Sequence, residues 1–296
     1  MYTLTLKCKI ITPLFMSGAD GRTPELRPSE FKGMMRWWWR AIRAEDNIDN
    51  LRKEEAEIFG GTEKKEGRSK VKIKIKSNIE NSDIIDYQPL PHHKRDNCPI
   101  DKNPRCNKAF KLKAIKSDKM IDIEFHFIPS EIEKLIYLMF ILGGFGKRAR
   151  RGFGSLQIIE PKIEITIEKI LEFLNDLQNI YKIDKSYFLN ISNIAVIKNI
   201  KPQSGIYPWI NEIILGKREF SNKDDILKAI GKASHNTSDP ALGLANPRMS
   251  SPVYVSVIEI QNRFYPIITV LNSYYPVKYP NYNLNAQKNF IKELVL

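Results

Sequence analysis

The chain has 296 residues, enough to bury a full core and to divide into two modest domains. Its 47 lysines and arginines against 34 aspartates and glutamates give a net charge of +13, which favours a polyanionic partner, nucleic acid before acidic membrane, over merely solvated lysine. Three scattered cysteines, Cys8, Cys98 and Cys106, exclude a disulfide framework and fit a reducing cytoplasm; Lys7 and Lys9 exclude a secretory signal, and the longest apolar run, Leu135–Leu142, is far too short to span a membrane.

Tyr2 to Ile11 alternates, with Tyr2, Leu4, Leu6, Cys8 and Ile10 on one face and Thr3, Thr5, Lys7 and Lys9 on the other, and predicts a first strand ended by Pro13. The polar loop Ser17-Gly18-Ala19-Asp20-Gly21 follows. Pro28 then opens a helix to about Ala44, since proline suits a first helical turn. Phe31, Met35, Trp38 and Ile42 form its buried face, flanked by Met34 and Trp39, while Lys32, Arg36, Arg40 and Arg43 form a basic stripe. Trp37 falls outside the apolar sector, so it serves either as a stacking or partner contact or packs under a later segment. Glu54 to Phe59 predicts a further helical turn before Gly60-Gly61.

Lys70 to Lys76 alternates lysine with Val71, Ile73 and Ile75 and predicts a second strand, whose lysines also guard an edge. Residues 77–118, polar and holding Pro89, Pro91, Pro99 and Pro104, are too long for a hairpin turn and read as an insertion that contacts RNA or acts as a thumb. His92, His93, Cys98 and Cys106 within it are candidate zinc ligands, but the histidines adjoin and seven residues separate the cysteines. Zinc modules usually pair ligands roughly two to four positions apart.

Ile121, Ile123, Phe125 and Phe127 alternate against Asp122, Glu124 and His126 and predict a third strand. Glu131 to Leu142 is a helix apolar nearly all round, to be buried between layers, and Ser155 to Ile159 is a fourth strand. The order strand, helix, strand, strand, helix, strand is the split βαβ, ferredoxin-like arrangement with an antiparallel sheet. Its outer positions, Thr3, Thr5, Lys7, Lys9, Asp122, Glu124 and His126, lack the aromatic platform of ordinary RNA-recognition modules. RNA is therefore expected at the loops and the basic helix edge.

Between the second helix and the last strand runs Gly143-Gly144-Phe145-Gly146-Lys147-Arg148-Ala149-Arg150-Arg151-Gly152-Phe153-Gly154. The glycines, Gly144, Gly146 and Gly152 among them, permit close approach of main-chain N–H groups, while Lys147, Arg148, Arg150 and Arg151 supply charge, a backbone-led phosphate grip. It is not a Walker loop, because Arg148 rather than Ser or Thr follows Lys147. It is not a dinucleotide fingerprint either, since the third glycine is missing and the loop follows a helix. No cofactor is expected.

After Pro161 the pattern restarts, predicting a second domain over 161–296 beside a first over 1–160. Its expected elements are a helix near Glu168–Tyr181, a strand near Phe188–Ile197, a helix near Asp224–Ala233, a hairpin of Val253–Ile260 with Phe264–Leu271, and a terminal helix near Ala286–Leu294. A Gly/Pro/Ser-rich connection, Ser234 to Pro252, carries Arg248.

Three segments together, Glu25-Leu26-Arg27-Pro28-Ser29-Glu30-Phe31-Lys32-Gly33-Met34-Met35-Arg36-Trp37-Trp38-Trp39-Arg40, the Gly143–Gly154 loop and Arg248-Met249-Ser250-Ser251-Pro252, resemble the RAMP superfamily of CRISPR proteins. More narrowly they resemble the first-numbered subunit of the Cmr, or type III-B, effector complex. The resemblance covers residues 1–160, and the second half only through the Arg248 motif. It implies an α+β chain of two ferredoxin-like domains, with a non-catalytic place in an antiviral ribonucleoprotein. There the subunit caps the backbone filament near the 3′ part of the guide RNA, helps bind target RNA and contacts other RAMP subunits. The implied RNA contacts are Lys147, Arg148, Arg150 and Arg151, with Lys32, Arg36 and Arg40 beside them.

Two other functions compete. Superfamily relatives include ribonucleases, and cleavage of single-stranded RNA needs a histidine or carboxylate near a 2′-OH or leaving oxygen. Asp20, in a flexible glycine loop, stands ahead of His126 and His235 for that role. In a pure assembly adaptor, Trp37 and the Val253–Leu271 hairpin would bind neighbouring subunits and the charge would serve solubility.

Overall fold

The computed structural model describes residues 1–63, 66–91, 111–127, 129–179, 188–192, 195–198, 207–237, 239–244, 246, 248–272 and 283–295. Strand β1 (Tyr2–Ile10) buries Leu6, Cys8 and Ile10 as its alternation predicts. Helix α1 (Pro28–Arg43) starts on its proline, carries Glu30 in the first turn and Arg40 and Arg43 in the last, and ends on Ala44 in the left-handed region. Phe31, Met35, Trp38, Trp39 and Ile42 are its buried face.

The single turn expected at 54–59 is instead a full helix, α2 (Ile48–Phe59). The reason is a cap: the Asn47 side chain accepts from the Asp49 and Asn50 N–H groups at 3.0 and 3.1 Å. Strand β2 (Lys72–Ile75) follows. The insertion then carries an antiparallel pair of its own, β3 (Ile84–Tyr87) and β4 (Leu112–Ile115). His92, His93, Cys98 and Cys106 lie outside the described residues.

Strand β5 (Met120–Phe127), helix α3 (Ile132–Leu142) and strand β6 (Leu156–Glu160) complete the first half. Its sheet runs β2-β5-β1-β6 with every pair antiparallel, the split βαβ order.

The second half comprises α4 (Ile167–Asn179), β7 (Phe188–Ser192), β8 (Ala195–Lys198), β9 (Ile210–Leu215), α5 (Lys223–Asn236), β10 (Val253–Ile260), β11 (Arg263–Leu271) and α6 (Leu284–Val295). The one strand expected near 188–197 is thus two strands, β7 and β8, paired antiparallel. Strand β9 is absent from the sequence-based expectation, because Ile210-Asn211-Glu212-Ile213-Ile214-Leu215 does not alternate and buries Ile210, Ile213 and Ile214. The sheet runs β10-β11-β9-β8-β7, also antiparallel throughout. Within it β9-α5-β10-β11 is again a split βαβ, and β8 takes the place beside β9.

Helix α3 is buried along nearly its whole length and packs on α1, α4, β6, β10 and β11, so it sits between the two sheets as its all-round apolarity predicts. One hydrophobic cluster consequently joins Leu6, Phe125 and Phe140 of the first half to Ile213, Tyr254, Ile258 and Ile267 of the second.

Edge strand β10 is closed by the segment that leads into β6. The Gly152 N–H donates to the Val255 carbonyl at 2.9 Å, and the Val257 N–H donates to Ser155 Oγ at 3.0 Å. The Gln157 amide both accepts from the Glu259 N–H at 2.8 Å and donates to its carbonyl at 3.0 Å. Ser155 and Gln157, two apart, thus reach alternate residues of the neighbouring strand and satisfy an edge that no strand covers. Lys9 adds an ion pair to Glu259 at 2.7 Å. Among the described residues no helix is long and apolar enough to cross a membrane.

Candidate nucleic-acid interface

The glycine-rich loop begins where Gly143 closes α3, its N–H donating to the Met139 carbonyl at 3.1 Å. Phe145 and Phe153 are buried and pin the loop at both ends. Gly146 lies at φ 76°, and a Cβ there would stand 2.4 Å from the Phe15 carbonyl oxygen. Gly152, at φ 79°, passes so close to α5 and β10 that a Cβ would meet Ile230, Leu227 and Val257. Gly144 packs in the same way against the Phe153 carbonyl.

These glycines serve packing rather than a phosphate nest, which corrects the backbone-led grip expected from the sequence. The loop N–H groups are largely spent inside the fold: Phe145 on Gly154, Lys147 on Phe15, Gly152 on Val255 and Gly154 on Pro13, all at 2.9–3.1 Å. The Gly146 N–H is held by the Glu30 carboxylate at 2.9 Å. The loop offers side chains instead.

Its cations take separate roles. Arg151 turns inward: Nη2 donates to the Leu242 carbonyl at 2.9 Å, Nη1 to Val253 at 3.2 Å and to Arg150 at 3.0 Å, and the guanidinium lies over the Phe290 ring. Burial, followed by the charges of Arg148 and Arg150, pushes its pKa down to about 10. Arg151 therefore fastens the two halves and is not free for a ligand, contrary to expectation.

Arg150 lies over both the Trp37 and Tyr254 rings, at 5.4 and 5.3 Å, and donates to the Ser251 carbonyl. Arg148 adopts φ 63°, lies over Phe153 at 6.0 Å, and keeps a buried Nε with no hydrogen-bond partner among the described residues. Burial depresses the pKa of both Arg148 and Arg150. Lys147 is exposed, its ammonium on the Gly21 carbonyl at 2.7 Å.

The Arg248 motif meets this loop from the other half of the chain. Leu244 and Met249 exchange main-chain hydrogen bonds at 3.0 and 2.9 Å, and Ser251 Oγ accepts from the Val253 N–H at 3.1 Å, closing a turn at Ser251 to Val253. Arg150 and Arg151 hold that turn through Ser251 and Val253. The outcome is a cleft of about 720 Å³ lined by Lys147, Arg148, Arg150 and Arg248, with Phe15, Met16, Leu112 and Tyr254 on its apolar walls and Glu30 as the one carboxylate among its described lining residues. The mixture suits a single-stranded polyanion, with cations for phosphates and rings for bases.

Other expected residues are placed elsewhere. The arginines of the α1 stripe are ion-paired by acids that follow it: Arg36 and Arg40 share Glu55 at 2.5 and 2.8 Å, and Arg43 pairs with Glu54 and Glu45. Periodicity could not show this, because α2 supplies the acids only once it packs on α1. Lys32 is half-buried, its pKa lowered by burial and then by Arg36, and does not line the cleft.

Trp37 is half-buried and packs edge-on to Trp38 and at 5.5 Å from Tyr254, so it packs against a later segment, the second of the two roles expected for it. Strand β10 is likewise buried along most of its length. The Asp20 carboxylate accepts from the Arg22 and Thr23 N–H groups and from Thr23 Oγ1 at 2.5–3.2 Å. The Thr23 hydroxyl, then the Arg22 N–H, push its pKa down to about 2, a state suited to closing a turn and not to carrying a proton near neutrality. His126 pairs with Thr3 Oγ1 at 3.0 Å on the outer sheet face, and His235 lies in the last turn of α5.

Sequence reasoning missed Glu30, Phe15, Met16 and Tyr254. Glu30 sat unremarked within the first quoted motif, while the other three had no local signal.

The RAMP superfamily model matches residues 7–157. The CRISPR system Cmr subunit Cmr1-2 of Pyrococcus furiosus is 33% identical, with 53% of this chain and 96% of that protein covered. The Cmr subunit Cmr1-1 of the same organism is 29% identical, over 48% of this chain and 43% of that protein. Among solved structures, apo Cmr1 from P. furiosus superimposes with a TM-score of 0.62 at 18% identity, covering 99% of this chain and 97% of that one. A chain of the type III-B Cmr-beta complex bound to cognate target RNA and AMPPnP, in the presence of ssDNA, gives 0.57 at 15% identity, with 98% of each chain covered. The chain thus belongs to the RAMP superfamily, in which it is a homologue of the Cmr1 subunits.

Proposed function

We propose that this chain is a non-catalytic, RNA-gripping subunit of a type III-B CRISPR effector complex in the cytoplasm, with guide and target RNA and other RAMP subunits as partners. Its place is at the end of the backbone filament, near the 3′ part of the guide, with domains over 1–160 and 161–296. The observation that carries this proposal is the pair of arginines lining the cleft, Arg148 and Arg150, which are desolvated and have no carboxylate partner among the described residues. A fold that collects such charge beside an aromatic-walled cleft favours binding of a polyanion. The Cmr relatives and the target-RNA-bound neighbour support the same choice of ligand.

Arg148→Glu combined with Arg248→Glu tests it, since neither side chain fastens the two halves. Fluorescence anisotropy with single-stranded RNA should show affinity falling at least about tenfold across sequences, and a salt dependence flatter by about one unit per lost phosphate contact. Unchanged affinity and slope in a folded double variant would refute the cleft as the RNA site. End-labelled RNA incubated with wild-type protein, with and without divalent metal, should stay intact on a denaturing gel. Discrete products that depend on Asp20 or a histidine would make the chain a nuclease.

A further inference from the structure

Glu30 is anomalous in its surroundings. It is the one acid among the described residues lining a cleft that also presents Lys147, Arg148, Arg150 and Arg248. It is fixed there, because one carboxylate oxygen accepts the Gly146 N–H at 2.9 Å and its backbone belongs to the first turn of α1, where negative charge is stabilised. An ionised carboxylate only accepts hydrogen bonds and repels phosphate. In a nucleotide it can be satisfied only by a neutral donor: the ribose 2′-hydroxyl or a base amino or imino group. Gly146 directly precedes Lys147 and Arg148, so the carboxylate is tethered to the loop whose cations line the cleft. The group nearest a bound phosphate along the strand is its sugar.

We infer that Glu30 makes the cleft selective for ribose, accepting the 2′-hydroxyl of a nucleotide whose phosphates lie on Lys147, Arg148 and Arg248. The inference rests on the proposed role of the cleft as an RNA site. Deoxyribose would leave the carboxylate beside the strand without a donor, and DNA would bind more weakly for that reason.

The test uses the full chain and one sequence made as RNA, DNA and 2′-O-methyl RNA, in several base compositions. Wild type should prefer RNA over DNA by about tenfold, the worth of one hydrogen bond to a charged acceptor. The 2′-O-methyl strand keeps the ribose but lacks the donor, and should bind no better than DNA; binding as tight as RNA overturns the inference without any variant. Glu30→Ala should bring the RNA-to-DNA ratio close to one. Glu30→Gln keeps one acceptor, for Gly146, and sets an amino donor against the hydroxyl oxygen, so it should bind both strands more tightly and retain a preference for RNA. A full RNA preference in Glu30→Ala, or a loss confined to particular bases, overturns the assignment to ribose. Wild type that binds neither strand removes the RNA role of the cleft itself, a different failure.

Discussion

Arg148→Gly sets the stability of the basic loop against its use. Arg148 holds a left-handed conformation at φ 63°. Glycine takes that conformation freely, which gains about 1 kcal/mol. Removing a buried Nε without a partner gains about 1–3 kcal/mol more. Against these stand the guanidinium over Phe153, about 0.5–1 kcal/mol, and the added chain entropy of glycine, about 0.5–1 kcal/mol. The balance is a gain of about 1 kcal/mol, which for a chain of this size raises Tm by roughly 2–4 °C. RNA binding should move the other way, with weaker affinity and a salt slope flatter by about one unit. Thermal melts and anisotropy titrations on the same preparations read both. A Tm lowered by several degrees would show that the guanidinium holds the loop together, and unchanged affinity and slope would show that no phosphate reaches it.

Arg151→Ala should behave in the opposite sense, destabilising by about 1–3 kcal/mol because the Leu242 carbonyl loses its donor inside the fold, while the Val253 carbonyl keeps the Ser251 hydroxyl; a melt within a degree of wild type would refute its fastening role. Gln157→Ala leaves both main-chain groups of Glu259 without partners and should cost about 1–3 kcal/mol, with faster amide exchange at Glu259 as the local readout. Asp83 has its pKa lowered from 3.8 to about 2, first by Lys119 and then by the Glu80 N–H. Its folded pKa lies below the unfolded one, so its contribution is present above about pH 4 and is lost as pH falls towards 2. Melts of Asp83→Asn across that window should be flatter than wild type, and parallel curves would refute the assignment.

The elements that could be read along the chain are those whose partner is implicit in their own period. Leu6, Cys8 and Ile10 alternate because one face of β1 must be buried whatever lies beneath it. Helix α3 is apolar all round because it has layers on more than one side. The antiparallel pair β7 and β8 and the strand β9 had no such signal, since a short apolar run does not show whether it makes one strand or two.

Composition, period and the glycine-arginine loop by themselves determined an α+β chain with a strongly basic character, and local motifs marked its family. They could not tell Arg148 from Arg150 or Arg151, which are near-equivalent in sequence. Only the tertiary structure did so, because the partners of these side chains lie elsewhere in the chain: Phe153 beneath Arg148, the Trp37 and Tyr254 rings around Arg150, the Leu242 and Val253 carbonyls at Arg151. The same holds for Arg36 and Arg40, which read as free cations along the helix but share Glu55 once it packs beside them. A charge is legible in sequence, but whether it is free depends on which donors and acceptors folding brings within reach, and that is a property of long-range packing.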